Sequence, residues 1–289
     1  MMNSSRKEFL KHMGILGVGV AGAPILLSGC ATTTEKTSKQ LNTPLGLQIY
    51  SLRNELNEDL EGTIQAIASM GYEHIEAYGL GEDGLFFGRY TPEDFNRIVT
   101  GAGMKVASVH TSYFTADKSN VFISAAKAMG TGHIVIPYLD QNMRDNYDAI
   151  AENLNAIGAQ CQEEGIRFGY HNHDFEFETT EDGRVPMRIL IEQTNPESVS
   201  FQADLYWITR AGVDALAFVK EYPGRFMSYH VKDANSELEQ TTVGSGIIPF
   251  EDIFELNESS GVDFLFVEDE RTDDPLRNVE NALLYLKSL

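Results

Sequence analysis

Short apolar runs alternate with longer amphipathic stretches from residue 45 to the end of the chain. The short runs are rich in the β-branched and aromatic residues of buried strands, and the longer stretches repeat apolar residues with the period of a helix. The pattern predicts strands at 45–51, 73–78, 104–110, 133–138, 166–172, 198–204, 225–231 and 263–268. It predicts helices at 58–70, 92–102, 118–130, 145–164, 212–222 and 275–288.

Eight strands, each followed by a helical stretch, predict an α/β fold of the (β/α)8 TIM barrel type, formed as a single domain by residues 44–289. A doubly wound open sheet is the structural alternative. Such a sheet usually carries a glycine-rich phosphate turn after its first strand. Residues 48–53 contain no glycine, so the pattern favours the barrel.

The first 43 residues differ from the rest of the chain. Residues 1–29 begin with basic side chains, continue with an apolar run and end in Leu-Ser-Gly before Cys30, which resembles a bacterial signal peptide with a lipobox. Lys7 stands where a twin-arginine signal has its second arginine, so the Tat and Sec export routes both stay open. The polar residues 30–43 predict a flexible tether. We therefore expect an exported lipoprotein on the periplasmic side, which meets the membrane only through a lipid on Cys30.

The formal net charge of −21 limits the range of partners. Nucleic acids and anionic membrane surfaces need a basic footprint, so neither is an expected partner. Cys161 is the one cysteine after Cys30, which leaves no intramolecular disulfide within the mature chain. It lies on an apolar helical pattern and is predicted to be a core residue.

Polar side chains that can bind a metal gather at the predicted carboxyl ends of six strands. In a TIM barrel these ends meet at one face, where the active site lies. Burying so many carboxylates and imidazoles together is costly unless a cation binds them. Nitrogen and oxygen ligands of this kind suit Mn, Zn, Co or Mg. The residues at these ends are Glu76, His110, His171, His173, Glu176, Asp204, His230, Lys232, Glu268 and Glu270.

Four segments carry a resemblance to a known family: residues 169–177 (Gly-Tyr-His-Asn-His-Asp-Phe-Glu-Phe), 204–207 (Asp-Leu-Tyr-Trp), 230–233 (His-Val-Lys-Asp) and 267–270 (Val-Glu-Asp-Glu). They resemble the sugar phosphate isomerase/epimerase group of the xylose isomerase-like TIM barrel superfamily, and the resemblance extends over residues 46–289. In that superfamily a divalent metal is held by Glu, Asp, His and Glu on strands five to eight. The resemblance implies that this chain binds a small-molecule carbohydrate, and that its metal ligands include Asp204, His230 and Glu268.

The strand-five position departs from the family pattern, because His171 stands where relatives have glutamate. Histidine is a competent ligand, so His171 completes the expected metal set. In the epimerases of this superfamily, the glutamates of strands five and eight pass protons on opposite faces of the substrate. An imidazole held on a cation cannot easily act as the second base. The departure therefore argues against an epimerase activity and favours a lyase or dehydratase activity.

The expected function is a divalent-metal-dependent isomerase or epimerase that acts on a keto-sugar through an enediolate. Glu268 is expected to remove the proton, and Lys232 or His110 to stabilise the enediolate oxygen. The residues expected to contact the substrate are Glu76, His173 and Glu176. A keto-sugar or 3-keto-glycoside lyase or dehydratase on the same metal site is the first alternative, and a non-catalytic sugar-binding lipoprotein is the second. A phosphodiesterase acting on damaged DNA shares the superfamily, but the acidic charge argues against it.

Other residues near the strand ends are given structural roles. The aromatic side chains there offer a wall for sugar stacking, but core packing is the commoner role of such residues. We interpret four of them as core: Tyr50, Phe114, Tyr206 and Trp207. Residues 242–247 contain a short Gly-x-Gly turn, which is predicted to form a loop on the rim of the barrel that touches the substrate.

Overall fold

The computed structural model describes residues 41–289. The predicted signal peptide, Cys30 and most of the predicted tether lie outside the described residues. Eight parallel strands close into a barrel in which neighbours follow chain order, and β8 pairs with β1. The barrel strands are β1 (Leu45–Gln48), β2 (His74–Leu80), β3 (Lys105–Thr111), β4 (His133–Ile136), β5 (Arg167–His171), β6 (Val199–Asp204), β7 (Phe226–Val231) and β8 (Phe264–Val267).

Helices cover the outside of the barrel, and the predicted TIM barrel is confirmed. The α-helices are α1 (Arg53–Glu58), α2 (Leu60–Met70), α3 (Pro92–Gly101), α4 (Ser119–Met129), α5 (Tyr147–Glu163), α6 (Pro186–Gln193), α7 (Leu205–Arg210), α8 (Ala215–Glu221), α9 (Phe250–Phe254), α10 (Asn257–Ser260) and α11 (Pro275–Leu286). Short 3-10 turns span Ile49–Leu52, Ala116–Lys118, Gln141–Met143 and Phe175–Phe177. A small antiparallel ribbon joins Asp233–Ala234 to Gln240–Thr241.

Local sequence signals explain where several helices begin and end. The Thr91 hydroxyl accepts the Asp94 backbone N–H and caps α3, whose first residue is Pro92. Gly71 ends α2 in the left-handed region, with a φ of 96° that favours glycine. The α6 helix was not predicted, because the consecutive apolar residues 189–191 obscure its helical period.

Alternate strand residues point outward and pack beneath the helices, as Leu47 and Phe201 do with no exposed surface. Cys161 lies in this layer on α5, and burial raises the pKa of its thiol to about 12, as suits the predicted core residue. Within residues 41–289, no helix combines the length and the apolar character needed to cross a membrane. The inward-facing residues near the carboxyl ends of the strands are polar, and they form the site described next.

Candidate metal centre and active site

The structure brings the four predicted metal ligands together at the carboxyl end of the barrel. Asp204, His230 and Glu268 each offer one ligand atom, and these atoms lie within 4.8 Å of one another. His230 Nδ1 lies 2.8 Å from Glu268 Oε2 and 3.8 Å from Asp204 Oδ2. His171 Nε2 lies 3.7 Å from the same Asp204 oxygen. We call these four residues the ligand cluster.

Asp204 shows that the ligand cluster fits a divalent metal. One carboxylate oxygen accepts the Trp207 backbone N–H at 2.9 Å and caps α7. The other oxygen, Oδ2, is buried and accepts no hydrogen bond, although the Lys232 ammonium lies 2.9 Å away. Buried acceptors normally have a hydrogen-bond partner, and a carboxylate oxygen beside an imidazole and a second carboxylate suits a metal ligand.

Glu76 lies at the centre of the barrel, with no exposed surface. The β2 strand continues to Leu80, so Glu76 lies in the middle of the strand and not at its predicted end. Its carboxylate accepts hydrogen bonds of 2.7 to 2.9 Å from the side chains of Gln48, Ser108 and Gln202. Glu76 is not among the residues that line the cavity, so its position does not agree with the predicted substrate contact.

Glu76 orients His230 so that its Nδ1 faces the other residues of the ligand cluster. Its Oε2 lies 2.5 Å from His230 Nε2, so that nitrogen carries its proton toward Glu76 and Nδ1 faces Asp204 and Glu268. This is the carboxylate–histidine arrangement that supports metal ligands. Burial lowers the pKa of His230, but Glu76 and Glu268 outweigh burial and raise it to about 9. A metal that binds Nδ1 therefore has to displace a proton.

Gln202 orients His171 in a similar way. Its amide nitrogen donates to Glu76, so its oxygen accepts from His110 Nε2 at 2.7 Å and from His171 Nδ1 at 2.9 Å. His171 Nε2 then keeps its lone pair for a metal. Burial and its positive neighbours, first among them His230, hold the pKa of His171 well below its usual value. His110, His171 and His230 also approach one another. Each of these imidazoles directs one N–H group to Gln202 or Glu76, so this set offers fewer lone pairs for a metal than the ligand cluster does.

Sequence reasoning missed the polar layer beneath the ligand cluster. These residues interrupt otherwise apolar strands, and three of them precede a predicted site residue by two positions. The two-residue period of a strand places both members of such a pair on the same inward face. The pairs are Ser108 with His110, Gln202 with Asp204, and Ser228 with His230; Gln48 on β1 also belongs to the layer.

Lys232 is buried behind the ligand cluster. Its Nζ lies 2.9 Å from Asp204 Oδ2, 2.7 Å from Glu268 Oε2 and 2.6 Å from Glu270 Oε1. Burial lowers the pKa of the ammonium, but these carboxylates outweigh burial and raise it well above its usual value. Lys232 does not line the cavity, so its position suits a counter-ion better than the predicted contact with a substrate oxygen.

A cavity of about 950 Å³ opens above the ligand cluster. His110, His171 and Glu268 are nearly buried and form its deep wall, and His173 lies beside them. Burial, followed by the charge of Lys232, lowers the pKa of His173 to about 3, so this imidazole is neutral at physiological pH. The predicted site residues His110, His173 and Glu268 are therefore placed where they can contact a ligand.

The aromatic residues divide between the cavity and the core. Tyr50 and Trp207 line the cavity, which corrects their interpretation as core residues. Phe114 and Tyr206 are buried in the core, as expected. Because β1 and β6 end at the same rim of the barrel, the residues just after them face the opening.

The predicted rim loop at 242–247 is tied to Asp233 and does not line the cavity. The Asp233 carboxylate accepts the backbone N–H groups of Gly244, Gly246 and Ile248 at 2.9 to 3.2 Å. A Cβ at Gly246 would lie 2.3 Å from an Asp233 oxygen, so the loop can bind Asp233 in this way only with glycine at that position. The expected substrate contact therefore does not agree with the position of this loop.

Glu176 supports the loop after β5. Its Oε2 accepts the His173 backbone N–H at 2.7 Å, and its other oxygen accepts the Tyr170 hydroxyl. Glu176 is fully buried and does not line the cavity. Its position therefore suits the support of His173 and does not agree with the predicted substrate contact.

Replacing Glu176 by glutamine is expected to make the slope of the free energy of unfolding against pH more positive between pH 4.5 and about 7. Burial raises the pKa of Glu176 from 4.5 to about 7, against hydrogen bonds from Tyr170 and His173. The folded protein thus keeps a proton on Glu176 that the unfolded chain releases, and the contribution of Glu176 to the free energy of unfolding falls as the pH rises from 4.5 to about 7. The slope reaches at most about 1.4 kcal/mol per pH unit. Urea unfolding across this range measures it.

The matched control is Glu178→Gln, which changes an exposed glutamate two positions away. This variant should keep the wild-type slope, because it leaves the buried Glu176 and its contacts with Tyr170 and His173 unchanged. Identical pH slopes for the wild type and Glu176→Gln would contradict the prediction.

Known proteins resemble this chain in sequence and in structure. An inosose dehydratase from Geobacillus thermodenitrificans (strain NG80-2) is 25% identical over 169 residues, which are 51% of this chain and 55% of that protein. One from Clostridium perfringens (strain ATCC 13124) is 28% identical over 166 residues, which are 50% of this chain and 54% of that protein. The chain thus spans about half the length of the curated relatives it matches.

A sugar phosphate isomerase/epimerase from Parabacteroides distasonis ATCC 8503 has a similar structure, with a TM-score of 0.76 and 26% identity over 87% of this chain and 96% of that chain. The closed barrel and the order of its strands agree with this likeness. Residues 64–289 match the family described as xylose isomerase-like TIM barrel. The chain therefore belongs to the xylose isomerase-like TIM barrel family.

Proposed function

We propose that this protein is a divalent-metal-dependent carbohydrate enzyme, which removes a proton next to the carbonyl of a keto-sugar and acts as an isomerase or epimerase. The observation that carries the proposal is the convergence of Asp204, His230 and Glu268 at the carboxyl end of the barrel, beneath a cavity that His171 and Glu268 line. The likeness to a sugar phosphate isomerase/epimerase supports a carbohydrate substrate.

The ligand cluster would hold the metal through two carboxylates and two imidazoles, a donor set that suits Mn, Zn, Co or Mg. A divalent metal bound there supplies Lewis acidity, which polarises a carbonyl oxygen and acidifies the neighbouring C–H group. Glu76 and Gln202 hold the two imidazoles in the required tautomers. Lys232 and His230 keep Glu268 ionised, because they hold its pKa well below the usual range against the effect of burial.

Two side chains that line the cavity can transfer protons. Glu268 follows β8 and His173 follows β5, so they approach the cavity from strands three places apart in the ring. Glu268 would accept the proton from carbon, as the sequence predicts. His173 is outside the ligand cluster and neutral, so it can act as the second proton-transfer group. This placement favours isomerisation or epimerisation, because return of the proton to a new position or face needs a second group.

Elimination of water is the second candidate function. The curated relatives that match half of this chain are inosose dehydratases, which favours this outcome. The first step is the same for both functions, since each removes a proton next to a carbonyl. They differ in whether the proton returns or a neighbouring hydroxyl leaves.

Incubation in D2O tests the proposal and separates the two outcomes. The metal-loaded protein is mixed with 3-keto-glucose or with an inosose, and the products are followed by proton NMR and mass spectrometry. Exchange of the C–H next to the carbonyl for C–D, with formation of an isomer or epimer and no loss of water, supports an isomerase or epimerase. Loss of one water from the substrate supports the dehydratase. Neither exchange nor water loss with any keto-sugar, at full metal occupancy, would contradict the proposed activity and favour a sugar-binding protein.

The cellular location of the protein is a prediction made from residues 1–30. We propose that the barrel works on the periplasmic side, held by a lipid on Cys30.

A further inference from the structure

The ligand cluster reaches the cavity only at its deep end, through His171 and Glu268. His171 and Glu268, at the deep wall, are 2% and 5% exposed, whereas Tyr50 and Tyr138, which also line the cavity, are 39% and 43% exposed. Small-molecule pockets typically measure about 300–1,000 Å³, so a cavity of about 950 Å³ is at the large end of that range. A single sugar ring held at the ligand cluster would leave the outer part of this cavity empty.

Aromatic side chains line the outer part on two sides. Tyr50 follows β1 and packs edge-on against Tyr78, with ring centroids 5.1 Å apart. Tyr138 follows β4 and packs edge-on against His173 and Phe175, with centroids 5.1 and 5.5 Å apart. Because β1 and β4 are three places apart in a ring of eight strands, the two tyrosines face the opening from different sides.

These rings are exposed and yet held in place. Among residues 41–289, the large hydrophobic side chains that are exposed are Tyr50, Tyr138, Ile247 and Leu284. The two tyrosines line the cavity and the other two do not. The Arg53 guanidinium lies 4.8 Å from the Tyr50 ring centroid, and the Arg144 guanidinium lies 5.0 Å from that of Tyr138. Cation–π contacts of this kind hold the rings in one orientation before any ligand arrives.

We infer that the outer part of the cavity is a subsite for a second ring, so that the substrate is a glycoside and not a free monosaccharide. The inference rests on the proposed carbohydrate function and names its substrate class. The reacting sugar lies at the ligand cluster, and its glycosidic partner lies against Tyr138. The C–H face of a sugar ring is apolar and packs well on an aromatic ring, while Arg144 at the cavity wall offers hydrogen-bond donors to its hydroxyl groups.

Calorimetric titration of the metal-loaded protein with glucose and with cellobiose tests the subsite. Cellobiose is expected to bind about tenfold more tightly than glucose, because it adds a stacked ring. Tyr138→Ala should remove most of this difference and leave the glucose Kd within about twofold, whereas Tyr138→Phe should retain it. Leu284→Ala is the matched control, since it removes an exposed large side chain outside the cavity and should change neither affinity.

The outcomes separate the subsite from the proposed function. If glucose binds and cellobiose binds no more tightly, or if Tyr138→Ala weakens both sugars equally, the second-ring subsite is wrong and the carbohydrate site stands. If neither sugar binds at any soluble concentration, the second-ring subsite is wrong, and the exchange experiment with keto-sugars in D2O decides the carbohydrate function separately.

Discussion

Asp204→Asn is expected to abolish metal binding at the ligand cluster and to remove keto-sugar turnover with it. The substitution keeps the side-chain shape and the oxygen that caps α7, while it removes the negative charge beside His230. Loss of a supporting group around a metal typically lowers affinity by about 10–100-fold, so loss of a ligand charge should exceed about 100-fold. Metal analysis after dialysis, with titration of Mn²⁺ or Zn²⁺ into the metal-free protein, measures the change.

The matched control for this variant is Asp214→Asn. Asp214 is an exposed residue that caps α8 through the Ala217 backbone N–H, just as Asp204 caps α7. The control should keep full metal affinity and wild-type turnover, because it changes a helix cap far from the ligand cluster. Full metal occupancy in Asp204→Asn would show that the assigned ligand set is wrong.

Lys232→Met is expected to destabilise the metal-free protein by about 3–5 kcal/mol, the usual effect of removing one partner from a buried ion pair. In the absence of metal, the Lys232 ammonium contacts the Asp204 and Glu268 oxygens that belong to the ligand cluster. Without it, two buried carboxylates keep only His230 as a positive neighbour. An added metal should therefore stabilise the variant more than it stabilises the wild type.

Thermal unfolding with EDTA and with excess Mn²⁺ measures how much an added metal stabilises each protein. The rise in Tm caused by the metal should be larger for Lys232→Met than for the wild type, because the cation replaces the missing positive charge. Lys220→Met, which changes an exposed lysine in the last turn of α8, should behave like the wild type. A metal-free Lys232→Met protein as stable as the wild type would contradict the counter-ion role.

Asp204 and Lys232 belong to one group of buried charges that balance one another. The metal-free site holds the carboxylates of Asp204, Glu268 and Glu270 around one ammonium and the His230 imidazole. A divalent cation would compete with Lys232 for the oxygens that the ammonium contacts. We therefore expect metal affinity to depend on Lys232 as well as on the ligands themselves.

The sequence by itself determined the order of the eight strands and predicted that the residues of the ligand cluster lie at one end of the barrel. The eight apolar runs were found within a few residues of their observed bounds, because buried parallel strands are nearly continuous in apolar residues. The proximity of His171, Asp204, His230 and Glu268 was predictable because each stands at or just after the end of such a run, and the ends of parallel barrel strands meet at one face. Their selection as metal ligands among the strand-end residues is what the family resemblance implies. The signal peptide, the tether and the lipid on Cys30 stay predictions, since they rest on residues that are almost all outside the described range.

The tertiary structure alone decided which polar residues face the cavity and which support it. Glu76 and Glu176 are glutamates, as are the cavity-lining Glu268 and Glu270, and both were predicted to meet the substrate, as was Lys232. The distinction depends on where a strand ends and on which long-range neighbours fill the space around each side chain. Gln202 pairs with Glu76 over 126 positions of sequence, and Lys232 with Glu268 over 36. Such contacts leave no local pattern, because they exist only once the barrel has closed.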